Sequence, residues 1–142
     1  MVYKRFGNTY VVRVARGEEV VEKLTELVEK ENIRLARVEG IGAADRLTVG
    51  LYSVPEQKYY RTEYEKPLEI TSLIGNVTRK DGEPYLHLHI TCADEQNRVI
   101  GGHLNEVRIG ATSEIFVTLV DGEVGRRVDD ITGTGLNLLD LK

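Results

Sequence analysis

Among 142 residues there is one cysteine, Cys92. That excludes an internal disulfide and every cysteine-rich zinc motif, so any bound metal must be held by histidine and carboxylate. No apolar run approaches the roughly 20 residues needed to cross a bilayer, and "MVYKRFGNTY" lacks the apolar stretch of a signal peptide. A cytoplasmic protein without membrane contact is expected. A long basic tract is missing too: Lys4-Arg5, Arg79-Lys80 and Arg126-Arg127 come only as pairs, and the formal net charge is −4. Non-specific nucleic-acid binding needs the opposite sign, so direct DNA binding is not expected. No Gly-x-Ser-x-Gly segment occurs. "EGIGAAD" lacks the fixed spacing and following helix of a phosphate loop, which assigns its glycines to turns and bulges.

What is present describes one soluble domain over residues 1–142, with 41% hydrophobic and 30% charged residues. "YVVRVA" (Tyr10–Ala15) is β-branched and aromatic, which favours a strand. In "GEEVVEKLTELVEKEN", Val20, Val21, Leu24, Leu27 and Val28 recur at spacings of three and four. They form one stripe on a helix over about 18–31, with Glu18 and Glu19 in its first turn. Six or seven strands follow, separated by Gly, Pro and Asp clusters such as Gly40 with Gly42, and Pro67. The tail reads as a turn and a last short strand. The expected fold is α+β, mostly antiparallel sheet with one main helix, and so much sheet leaves edges or a face that an oligomer would cover.

All three histidines fall within "YLHLHITCADEQNRVIGGHL", residues Tyr85 to Leu104. Alternation sends His87 and His89 to one side of a strand, with Leu86, Leu88, Ile90 and Cys92 on the other. If "DEQNR" is a five-residue loop, Ala93 pairs with Val99 and His103 stands opposite His89. A loop one residue shorter would need a bulge at Gly101-Gly102 to restore that face. Three imidazoles with an open fourth position are the ligand set of many catalytic zinc sites. The competing reading is a strand whose polar face happens to carry histidines. Asn105 shares the histidine face by parity, and Glu114 is a candidate fourth ligand or proton acceptor, although a solvated charge accounts for it as well. Cys92 is expected to be a small buried hydrophobe.

"EGIGA" (Glu39–Ala43), "LEITSLIGNV" (Leu68–Val77), "LHLHI" (Leu86–Ile90) and "GGHL" (Gly101–Leu104) resemble, in order and spacing, the plants and prokaryotes conserved (PPC) domain. "SEIFV" and "TGLNLLDL" look like its closing elements, so the resemblance runs over about residues 6 to 141. It implies a compact α+β domain that assembles as a homotrimer. In land plants the domain follows a basic AT-hook that enters the minor groove. This chain has no such segment, so DNA binding does not transfer with the fold. Similarity to the prokaryotic branch implies a divalent metal, zinc above all, at His87, His89 and His103. A more distant similarity is to the zinc site of acetolactate decarboxylase, where the ion polarises a small keto acid. Two functions follow as expectations: a trimeric binding or assembly module with a three-histidine metal site, regulatory or DNA-associated through a macromolecular partner, or a small zinc-dependent enzyme acting on a small carboxylate or keto compound.

Overall fold

The apolar stripe forms its helix, α1, over Val20–Lys30, with Val20, Leu24, Leu27 and Val28 buried. Its start differs from expectation. Glu19 is the N-cap rather than a first-turn residue: its carboxylate accepts from the Val21 and Glu22 amides. It also accepts from the Val107 amide at 2.9 Å, tying the helix start to the sheet. Glu18 precedes the helix and accepts from the Ala15 amide, leaving Glu22 as the acidic residue of the first turn.

The computed structural model describes residues 1–130 and 132–141. Around α1 it sets eight strands: β1 (Val2–Phe6), β2 (Thr9–Arg13), β3 (Ala36–Ser53), β4 (Lys58–Lys80), β5 (Glu83–Ala93), β6 (Val99–Leu119), β7 (Gly125–Val128) and β8 (Asn137–Asp140). The expected class, a single α+β domain of mostly antiparallel sheet with one helix, is what is found. No helix among the described residues is long and apolar enough to cross a membrane.

Two details depart from the sequence reading. β1 was not anticipated; it pairs with β2 through a two-residue turn, Phe6 opposite Thr9, with Gly7 at a φ of +59°. Six strands follow the helix, within the expected six or seven, but β3, β4 and β6 are longer than anticipated, because the glycines and proline read as breaks lie inside them. Gly40 and Gly42 flank one register shift between β3 and β4, and Pro67 falls in the second, between the pairs Arg46–Glu65 and Ala44–Leu68. A proline, which cannot donate to a ladder, is tolerated at such an irregularity.

The main sheet runs β1-β2-β6-β3-β4-β5, and β5 also pairs with β6, so the sheet closes on itself. His103 of β6 is opposite Gly50 of β3 on one edge and His89 of β5 on the other. Inside lie Leu47, Leu88, Ile90, Cys92, Val107 and Ile109, with the buried face of α1 packed across β5 and β6. Each aliphatic side chain so buried contributes roughly 1.5–3 kcal/mol. Since Leu88, Ile90 and Cys92 point inward, the alternate residues of β5 project to the outer face, away from the helix.

Candidate metal centre

The loop between β5 and β6 sets the register. Asp94 accepts hydrogen bonds from the Gln96 amide (2.9 Å), the Arg98 amide (3.0 Å), Arg98 Nε (2.9 Å) and Lys66 Nζ (3.1 Å). The Arg98 side chain above all holds its carboxyl well below the usual carboxylate range. Asn97 takes the left-handed conformation, φ +59°, that closes the turn. Asp94 to Arg98 therefore make a five-residue loop, Ala93 pairs with Val99, and His89 faces His103 without any register shift between β5 and β6. The bulge considered at Gly101-Gly102 is not needed here. On the other side β4 supports the same strand, with Asn76 opposite His87 and Ile74 opposite His89.

The three imidazoles converge. Ring centroids lie 5.2 Å apart for His87–His89, 5.2 Å for His87–His103 and 5.5 Å for His89–His103. One nitrogen from each ring lies within 4.8 Å of the others. A tetrahedral zinc with bonds of 2.0–2.1 Å needs donors about 3.3 Å apart, a closure that side-chain rotation supplies. His89 is exposed, while His87 and His103 are half-buried. Burial pushes both of the latter below the ordinary histidine pKa; neighbouring imidazoles add to the effect, as does the Arg126 charge for His87. They are thus biased toward the neutral form that binds metal. An open hollow of about 450 Å³ beside His87 and His89 is also lined by Arg37, Ile74 and Asn76.

Gly101 stands opposite Thr91 and Gly102 opposite Ile90; β6 approaches the β5 backbone closely at Gly101 and the β3 backbone at Gly102. Asn105 lies in a register irregularity between β6 and β3, and its Oδ1 accepts from the Tyr59 hydroxyl at 2.8 Å. Tyr59 in turn packs edge-on to His103, with centroids 6.4 Å apart. Glu114 does not join the histidines: it pairs with Ile41 and lines a separate hollow with Glu39 and Phe116. Cys92 is fully buried on the opposite face, and burial pushes its thiol up to about 12, which leaves it inert as a ligand or nucleophile. Tyr59 and Arg126 escaped the sequence reading. Both reach the site through side-chain contacts with segments distant along the chain, and only the aromatic run "KYYRTEY" offered a hint.

A closed antiparallel sheet with three converging histidines on its outer face defines a small domain able to hold a metal ion. The match of the Plants and Prokaryotes Conserved (PCC) domain over residues 1–121 then places it: the chain belongs to that family. No curated protein matches it. Among solved structures, a metal-containing protein from Archaeoglobus fulgidus is 33% identical, with 97% of each chain covered and a TM-score of 0.85. A plant- and prokaryote-conserved protein from Pyrococcus horikoshii is 32% identical, covering 98% of this chain and 94% of its own, with a TM-score of 0.83. A Bacteroides thetaiotaomicron protein provisionally described as DNA-binding is 28% identical, covers 98% of this chain and 96% of its own, and superposes with a TM-score of 0.94.

Proposed function

We propose that this protein is a metal-centred binding module that works as a homotrimer in the cytoplasm. His87, His89 and His103 hold one divalent ion, zinc by donor preference, and leave a coordination position for an external ligand. The carrying observation is the convergence of one nitrogen from each histidine within 4.8 Å, with His89 open to solvent. Three imidazoles suit zinc and leave one position of a tetrahedral ion free. The metal-containing archaeal relative supports the same reading. Elemental analysis of protein purified without chelator is expected to find one ion per chain. Protein that arrives metal-free and takes up no added zinc would overturn it.

The open position also keeps a second reading in play, a zinc-dependent enzyme acting on a small carboxylate or keto compound. Against it, no Asp or Glu joins the histidine group as a ligand among the described residues of the chain. Binding without turnover is the better-supported role.

Assembly rests on a patch of the outer face where Ile41 and Ile74 are each 54% exposed and Phe116 is 41% exposed, around one open hollow. Such a patch on a soluble domain marks an interaction surface. Sedimentation of the wild type is expected to show three times the 16.0 kDa chain mass. Phe116→Asp, which places a charge in the patch at a distance from the histidines, is expected to yield the monomer. A wild-type monomer at micromolar concentration would count against the trimer.

For DNA, the relevant relative is the Bacteroides protein, but a formal charge of −4 favours association through a protein partner instead. Binding to a duplex is expected to be weak and to vanish as salt approaches physiological strength. Tight binding at that salt, with a steep salt dependence, would reveal a folded basic patch.

A further inference from the structure

Arg126, on β7, holds a cation against the histidine face, and the metal reading gives it no task. Its Nε donates to Thr78 Oγ1 (2.9 Å), Nη2 to Asn76 Oδ1 (2.8 Å) and Nη1 to the Asn137 carbonyl (2.9 Å). The guanidinium also lies over the Tyr85 ring, 4.6 Å from its centroid. Asn76 is directly opposite His87 in the β4–β5 ladder, and Thr78 is opposite Tyr85. Directly opposed residues point the same way, so this anchor and the histidine cluster share one face. A guanidinium carries five N–H donors, and the three bonds leave one on each terminal nitrogen. These remaining N–H groups are the kind of donor that receives a carboxylate or other oxyanion.

Charge gives the arrangement its meaning. With neutral imidazoles as ligands, a bound divalent ion keeps its full +2, and among the described residues no Asp or Glu belongs to the cluster. Beside it stands a fixed guanidinium that is itself partly desolvated. Two neighbouring cations on one face repel, and an anion placed between them turns that repulsion into two attractions. We propose that Arg126 and the open face of the metal form a two-point site for a small carboxylate-type anion, one oxygen on the ion and the other on the remaining Arg126 N–H donors. This rests on the metal reading above and names the class of its external ligand.

The test loads the protein with Co(II), whose visible spectrum reports its coordination, and titrates it with acetate, using acetamide as the neutral isostere. Acetate is expected to shift the spectrum saturably and acetamide to leave it unchanged. Arg126→Gln is expected to take up cobalt as the wild type does and to bind acetate about tenfold or more weakly. Because Arg126 also ties β7 to β4, a second variant guards against a loosened tail. Asn76→Asp keeps the tie but answers the guanidinium with a carboxylate of its own, and should weaken acetate similarly. Equal acetate affinity in the wild type and both variants would overturn the inference and make Arg126 a structural strap only. Failure of the wild type to bind cobalt would instead bring down the metal reading, and this inference with it.

Discussion

His89→Ala should lower the affinity for zinc by more than about a hundredfold while leaving the fold intact. Loss of groups that merely support a ligand costs 10–100-fold, and His89 is itself a ligand candidate, in contact range of both partner rings. It is also the exposed member of the three, so its removal opens no cavity. The stability of the metal-free variant should stay within about 0.5 kcal/mol of the metal-free wild type. Competition against a chromophoric chelator reads the affinity, and urea denaturation in chelator reads the stability. Equal metal content in the two proteins would sink the histidine site.

Gly101→Ala should damage fold and site together. A Cβ at Gly101 would lie 2.2 Å from the Ile90 carbonyl oxygen and 3.0 Å from the Thr91 Cα. Both are backbone atoms of β5, so no side chain can swing aside, and β6 itself has to move. Overpacking of this kind costs about 1–3 kcal/mol. The displaced segment is the one that sets His103 against His89, so zinc affinity should fall as well. Gly125 provides the control: a Cβ there meets nothing within 4 Å, and Gly125→Ala should be neutral to within about 0.5 kcal/mol. If the two alanine variants denature at the same urea concentration, close strand approach at Gly101 is not what the double glycine serves.

The site was legible in the sequence to the extent that it is local. Strict alternation through His87 and His89, and a loop whose five polar residues could be counted, placed His103 opposite His89, because period and loop length alone determine a hairpin's register. The strands were harder to delimit. Pro67 and the Gly40–Gly42 pair are breakers by local propensity, yet each lies at a register shift that only the neighbouring strands create. The helix boundary moved by two residues because Glu19, normally a residue of the first turn, spends its carboxylate as a cap and on the Val107 amide, a tertiary contact. Glu114 looked eligible by residue type alone and stands elsewhere. Arg126 and Tyr59 arrive from segments 39 and 28 positions away from His87, too far for any periodicity to announce.

Closure of the sheet around β5 has one more consequence. His89 has a hydrogen-bonded neighbour strand on each side, with Ile74 opposite on one and His103 on the other, so its backbone has no free edge from which to fray. In a zinc finger the ion is the keystone and the apo chain unfolds. Here the strand pairings stand without it, so an ion bound at the proposed site would be a passenger: a chelator is expected to remove it, and another ion to replace it, while the domain stays folded.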